Sequence, residues 1–314
     1  MSERPPIGVV VMAYGTPDGP YDVEAFYTDV RRGRPPTPEQ LADLQRRYQA
    51  IGGVSPLAER TRAQVAGLQR ALDGVQPGGY RCALGAKHSA PRIEDALDEL
   101  AKAGVVRVIG LVLAPHYSVL SIGEYGARLS EHARSLGMEA TMIESWHDLP
   151  ELVELLAERV AVALVRLSSD GNGSAGAPPE TVEVLFTAHS LPSRIVEMAD
   201  PYPAQLHETA AAVAARAGVT RWRTAWQSAG RTPEPWLGPD LLEVLRTIAA
   251  EGVTAAVVCP AGFTSDHLEV LYDVDIEASA TATRAGIAFA RTASLNDDPR
   301  FCEVLADVVL AAAG

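Results

Sequence analysis

Two stretches, GVVVMAYGTP at residues 8–17 and EVLFTAHSLP at residues 183–192, align residue for residue and mark the first strand of each half of the chain. Each opens on a mostly apolar run, the pattern of a strand buried on both faces, and each ends in a short turn before a proline. The alignment sets Tyr14 against His189 at the end of each half's first strand. A second pair, AKAGVVRVIGLVLAPHYS from Ala101 and AAEGVTAAVVCPAGFTSD from Ala249, matches a helix end followed by a third strand in each half. Working outward, strands are expected over 8–13, 80–85, 106–114, 139–143, 182–188, 221–226, 255–260 and 287–290. Segments of helical period fill the intervals at 38–50, 61–72, 92–103, 122–136, 151–167, 203–216, 240–250 and 267–278, and a last one covers 299–313. This alternation specifies an α/β chain of two similar Rossmann-like domains, each a four-stranded parallel sheet flanked by helices. The boundary falls between residues 1–147 and 148–314, and the last helix can return to pack on the first domain. Ligands of open parallel sheets lie beyond the carboxyl ends of the strands. Two facing domains would therefore offer Tyr14 and His189 from opposite walls of one cleft.

The length of 314 residues suits two domains of about 150 each, and 47% hydrophobic with 21% charged residues excludes collagen-like, disordered and coiled-coil classes. Forty acidic residues against 27 basic give a net charge of -13, which opposes binding to nucleic acid or to anionic lipid. The longest apolar runs, Val105 to Pro115 and Val253 to Phe263, reach about half of the ~20 residues that span a bilayer. The N-terminus MSERPPIGVVVMAYG lacks the features of a signal peptide. Cys82, Cys259 and Cys302 are scattered, without the spacing of a disulfide framework or a thiolate metal site. The cytoplasm is the expected location, where the acceptor pattern Asn172-Gly173-Ser174 carries no meaning. SSDGNGSAGAPPE at 168–180 is the one low-complexity stretch and reads as a surface loop.

His189 is a candidate base because of its place at a strand's carboxyl end. Ser190 beside it would point the other way, and no GxSxG elbow exists, so a serine hydrolase is disfavoured. In TSDHLEVLYDVDIE (264–277), Glu269, Asp273 and Glu277 are spaced by four and drift only about 40° per step on an α-helix. This acidic stripe is either a solvated face or a path for a divalent cation, since carboxylates with imidazole suit Fe²⁺. RRGR at 31–34 and Arg46-Arg47 before Tyr48 are either solvated or a fork for an anionic ligand. IGGVSP at 51–56 permits close backbone approach and adds the Ser55 hydroxyl. His88, His116, His132, His147, His207 and His267 form no local cluster, and each reads as a satisfied or exposed imidazole. Dinucleotide, P-loop, zincin and EF-hand motifs are absent.

Taken together, MAYGTP (12–17), RRYQAIGGVSPLA (46–58), KHSAP (87–91), LAPHYS (113–118), TAHSLP (187–192), DPYPAQLHETA (200–210), WQSAGRTPEPWLGPD (226–240) and FTSDHLEVLYDVDIE (263–277) resemble the ferrochelatase family, in family order along nearly the whole chain. The resemblance implies two similar parallel-sheet domains around a porphyrin cleft and the insertion of Fe²⁺, with iron as substrate and no tightly bound cofactor. It also implies His189 as the catalytic imidazole, Glu269 as its carboxylate partner, and Asp273 and Glu277 as the outer part of a line along which metal travels.

The chain is more similar to the soluble branch that acts on coproporphyrin III, because Tyr14-Gly15 stands where protoporphyrin-type members have Met-Gly. In that branch the residue matching Tyr14 is axial to the product iron, on the face opposite the histidine. FYTDVRRGRPPTPEQLADL (26–44) stands where other members carry an apolar lip, and its Arg, Pro and Asp make a poor membrane anchor. Four propionates need more donors than two, and the resemblance offers Tyr14, Thr16, Arg31, Arg47, Tyr48, Ser55 and Tyr125. The iron-sulfur cluster of some members needs four cysteines, and only three are present. A monomer without a cluster is expected, its product able to pass to the next haem-synthesis enzyme. Competing readings are a protoporphyrin IX ferrochelatase, a cobalt or nickel chelatase for a sirohydrochlorin-like ring, and a non-catalytic porphyrin or haem carrier.

Overall fold

The computed structural model describes residues 5–169 and 181–314. The run at the N-terminus forms β1 (Ile7–Ala13), whose residues from Val9 to Met12 are fully buried because the sheet is covered on both sides. A 3₁₀ turn at Pro20–Asp22 precedes α1 (Val23–Val30), and α2 (Pro38–Ala50) and α3 (Leu57–Val75) follow. Then come β2 (Tyr80–Ala86), α4 (Ile93–Lys102), β3 (Arg107–Val112), α5 (Ile122–Ser135) and β4 (Glu139–Met142). The second half repeats the plan after α6 (Pro150–Ser169), with β5 (Val182–His189), α7 (Arg194–Glu197), α8 (Tyr202–Ala217), β6 (Trp222–Gln227), α9 (Leu241–Ala250) and β7 (Ala255–Cys259). A short α10 (Leu268–Leu271), a π-helical segment at Asp273–Ala278, α11 (Ser279–Arg284), β8 (Ala288–Arg291) and α12 (Pro299–Ala313) complete it.

Both sheets are parallel, with strand orders β2-β1-β3-β4 and β6-β5-β7-β8, so β5 takes in the second sheet the place of β1 in the first. Met12 registers with Gly85 and Val112, and Phe186 with Thr224 and Cys259. One core joins the halves: Val9, Val11 and Leu111 of the first sheet and Val184, Phe186 and Val257 of the second share it with residues of α3, α6, α8 and α12. The outer faces are covered separately, by α4 and α5 on the first sheet and by α9 and α11 on the second.

Helix ends follow local chemistry. Thr37 and Gln40 exchange side-chain and backbone hydrogen bonds in a capping box, Pro38 opens α2, and the Asp240 carboxylate accepts the Leu242 N–H (2.8 Å) at the start of α9. Helix α12 lies against α3, and Arg107 of β3 reaches the Ala312 carbonyl. The contact requires Gly67, since a Cβ there would stand 2.3 Å from Cys302 Sγ. Phe301 on this helix is fully buried, in the class whose truncation to Ala costs about 3–5 kcal/mol.

Three expectations need correction. The helix expected over 267–278 is broken: the Glu277 N–H reaches back five residues to the Tyr272 carbonyl (2.9 Å), so the turn is wider than α. Helices α1 and α7 lie outside the expected helical segments. The loop expected from Ser168 starts inside α6, and the remainder of that stretch, with Asn172-Gly173-Ser174, lies outside the described residues. Among the described residues no helix is long and apolar enough to cross a membrane.

Candidate active site

A cleft of about 530 Å³ opens beyond the carboxyl ends of both sheets. His189, the last residue of β5, stands on one wall. Its Nδ1 bonds the Ser190 carbonyl, and its Nε2 lies 3.4 Å from a carboxylate oxygen of Glu269 in the first turn of α10. The other Glu269 oxygen is 3.6 Å from His267 Nε2, and His267 Nδ1 bonds the Ser265 carbonyl (2.9 Å). A carbonyl only accepts, so both rings carry hydrogen on Nδ1 and turn Nε2 toward one shared carboxylate. Gln227 fixes the backbone beneath: its Nε2 donates to the Glu269 carbonyl (2.9 Å) and its Oε1 accepts from the Thr187 hydroxyl (2.7 Å). Burial disfavours charge on both partners, but the Glu269 carboxylate outweighs it for His189, whose pKa is pushed up to about 9. Against the same burial, His189 holds the Glu269 carboxyl far below the usual carboxylate range. Each shift favours the charged form of its group, and each side chain is about one-third exposed to the cleft.

Asp273 lies on the π segment, buried, accepting from the Ser228 hydroxyl and from Arg47 Nη1 (3.1 Å). Burial, followed by the charge of Glu269, pushes it up to about 7. Glu277 continues the line, half-buried. Asp273 thus feels the charge of Glu269 on α10 and of Glu277 on its own π-helical segment. Among the described residues no group of three or more His, Cys, Asp or Glu side chains has the arrangement that would hold a metal ion.

The opposite wall begins where β1 ends. Tyr14 is 44% exposed, its ring centroid 4.6 Å from that of His88. Gly15 follows with φ +92°, where a Cβ would strike Ser89 Oγ at 2.5 Å, so only glycine lets the chain turn here. His88 is held by Asp29 (2.8 Å), itself bound by Arg92 (2.9 Å). The Thr16 and Tyr48 hydroxyls lie 3.4 Å apart, and burial pushes the Tyr48 phenol up to about 12. Ser55 accepts the Leu57 N–H (3.3 Å), and Tyr125 lies buried under the Lys87 ammonium, 5.1 Å from its ring centroid. Glu124 neutralises both Lys87 (2.5 Å) and Arg32 (3.1 Å).

Of the residues expected to bind porphyrin, Tyr14, Thr16, Tyr48, Ser55 and Tyr125 line the cleft, whereas Arg31 and Arg47 do not. Arg31 turns to the Arg34 carbonyl and the Tyr27 ring, and Arg47 pairs with Asp43 and Asp273 over the Tyr272 ring. The cations at the cleft are instead Arg32 and Lys87, joined by Arg194. Arg32 has φ +57°, a turn at the end of α1 that presents it in place of its neighbour. Lys87 was legible inside KHSAP and His267 beside Glu269, though neither stands out by spacing. Trp236, its ring centroid 6.4 Å from that of His189, packs the wall on that side.

A base with a free face, a carboxylate that tunes it, an aromatic hydroxyl opposite and cations at the rim suit a flat anionic ligand that must lose protons. The known proteins agree. Residues 6–313 match the family model for ferrochelatase. A coproporphyrin III ferrochelatase of Anoxybacillus flavithermus is 44% identical over 307 residues, 97% of this chain and 95% of that relative. One from Bacillus subtilis is 43% identical over 98% of both. Among solved structures, a sirohydrochlorin chelatase of Bacillus subtilis subspecies spizizenii in complex with cobalt superposes with a TM-score of 0.57 at 11% identity, covering 98% of this chain and 95% of that one. That likeness concerns the fold alone. Sequence match along nearly the whole length, laid over this cleft, makes the chain a member of the ferrochelatase family.

Proposed function

We propose that the protein inserts Fe²⁺ into coproporphyrin III, giving the iron coproporphyrin and two protons. The observation that carries this reading is the His189–Glu269 pair facing Tyr14 across one cleft. The macrocycle enters between the walls. Its propionates exchange with Glu124 for Lys87 and Arg32 and bond the hydroxyls of Thr16, Tyr48, Ser55 and Tyr125. Each exchange replaces one carboxylate partner by another, so the cations are already in place.

His189 holds a proton at rest and must release it before it can act as a base. Fe²⁺ arriving beside Glu269, along the line of Asp273 and Glu277, offsets the carboxylate charge that keeps this proton bound. The Nε2 proton then passes to water in the open cleft, and the freed lone pair accepts a proton from one pyrrole N–H, which is the general-base step. After handing it to water the imidazole accepts the second, so two protons leave as the iron enters. The Ser190 carbonyl holds Nδ1–H throughout, so the ring cannot exchange tautomers. Bending the ring toward Nε2 costs a few kcal/mol, which remote propionate contacts offset. The iron product would take the Tyr14 oxygen as axial ligand on the other face. The reading places the enzyme in the cytoplasm as a monomer without an iron-sulfur cluster, and its three cysteines, two of them buried, are too few to ligate one.

The test is anaerobic Fe²⁺ insertion followed by absorbance, comparing coproporphyrin III with protoporphyrin IX. Faster turnover of coproporphyrin III is expected. Preference for protoporphyrin IX would overturn the substrate, and stoichiometric binding without turnover would mark a carrier.

A further inference from the structure

Helix α8 belongs to the second half, yet its N-terminal turns bond the first. One carboxylate oxygen of Asp200, just before the helix, accepts from the Ser118 hydroxyl (2.9 Å) and the Val119 N–H (2.8 Å), while the other accepts the Tyr202 N–H (3.0 Å). Gln205 Oε1 accepts the Tyr117 N–H (2.6 Å) and the Ser145 hydroxyl (3.2 Å). Thr209 Oγ1 lies 2.9 Å from His116 Nε2, and Glu208 pairs with His147 Nε2 (2.8 Å). The partners at 116–119 lead out of β3 into the cleft wall, where His116 is 2% exposed. The same helix touches the reacting side, because the Tyr202 hydroxyl donates to the carbonyl of His189 (3.0 Å).

We propose that Asp200, Gln205 and Thr209 form a brace between the two walls, positioning residues that fix the width of the cleft and hence the bend imposed on the macrocycle. The shared core alone cannot do this, since apolar packing is not directional, whereas these hydrogen bonds each specify a distance and an angle. Elsewhere the halves are tied by Gln64, which donates to the Asn296 carbonyl (2.8 Å), by the Thr264 hydroxyl on the Leu113 carbonyl (3.1 Å), by Arg107 on the Ala312 carbonyl, and by the ion pairs of Arg47 with Asp273, Arg60 with Asp297 and Arg231 with Asp43. Losing the brace would thus open the cleft on the α8 side only, displacing His189 from the bound ring. A displacement of about 1 Å at a reacting group can cost on the order of 100-fold in rate.

The proposal rests on the chelatase reading, so the test separates the two. Spin labels at E24C on α1 and V196C on α7, both exposed and on opposite lips, report cleft width by pulsed electron resonance in a Cys82→Ser background. Asp200→Ala should broaden and lengthen the distance distribution and lower kcat at least about tenfold, with KM for the porphyrin changed by less than about threefold. Asp200→Asn, which keeps an acceptor oxygen, should restore most of both. An unchanged distribution in Asp200→Ala, or a broadened one with full kcat, would overturn the brace. Should Asp200→Ala not fold, Ser118→Ala, which removes one tie, and Gln205→Ala, which removes two, carry the same comparison. Absence of turnover in the wild type would instead strike the chelatase reading and leave the distance measurement standing.

Discussion

Strands β1 and β5 occupy equivalent places in sheets of equivalent order, but the residues that leave their carboxyl ends have opposite chemistry. Beyond β1 come Tyr14, Thr16 and, from the neighbouring strand end, Lys87 and His88, a wall of hydroxyls and cations suited to an anionic ligand. Beyond β5 comes His189, wired to Glu269 and through it to His267 and Asp273, a wall suited to protons and a metal cation. Equivalent backbones thus serve unlike tasks, because the strand ends fix position while the loops choose the side chains.

If the division of labour holds, the largest effect follows from His189→Ala. Insertion should fall by about 10²- to 10⁴-fold, the usual contribution of a positioned base, while porphyrin affinity by fluorescence titration stays within a few-fold. Activity within tenfold of the wild type would remove the base from this wall. Next in size is Glu269→Gln. Without the carboxylate charge the His189 proton is held less tightly, so the pH at which insertion half-activates, set by a group pushed up to about 9 in the wild type, should move down by about one to three pH units. Maximal turnover should also drop, because the cation loses its counter-charge. An unmoved pH profile would mean that another group tunes His189. Tyr14→Phe probes the facing wall and should be milder: insertion within about tenfold, with the absorbance of the iron product altered by loss of the axial oxygen. A defect as deep as that of His189→Ala would break the comparison, placing proton chemistry on both sides.

How much of this was written in the sequence varies with the kind of physics involved. The central strands β1, β3, β5 and β7 are legible because burial on both faces demands mostly apolar runs such as GVVVMA and AAVVC, whereas the less buried β4 and β8 follow from the alternation of strands with helical segments. Helix α1 is not legible, since Phe26, Tyr27 and Val30 face an open cleft instead of a core and leave no full apolar stripe. The π segment has no signature in the sequence, because carboxylates spaced by four fit an α-helix equally well, and only the bond from Glu277 back to Tyr272 distinguishes them. His189 and Tyr14 stand out at strand ends and Glu269 in an acidic stripe of helical spacing, while their roles follow from the family resemblance alone. Arg31 and Arg47 illustrate what local sequence leaves open: Arg31 turns to the Arg34 carbonyl and Arg47 to Asp273, a partner 226 positions away, so neither lines the cleft.

The smallest effect concerns stability, and it tests whether the acidic wall carries an electrostatic cost that its counterpart lacks. Asp273 is buried and its pKa in the folded protein is pushed up to about 7 from 3.8. Between those values the folded chain holds a proton that the unfolded chain has released, so stability falls as pH rises through this window and levels off above about 7. Arg47 and the Ser228 hydroxyl reduce the fall without abolishing it. Asp273→Asn cannot titrate and keeps an acceptor for Ser228. Its stability relative to the wild type should therefore increase from pH 4 to pH 8 by on the order of 1 kcal/mol or more, read as a widening gap in urea midpoints. A gap independent of pH would show that Arg47 and Ser228 fully compensate the buried charge, and the acidic wall would then cost the fold no more than the wall of Tyr14.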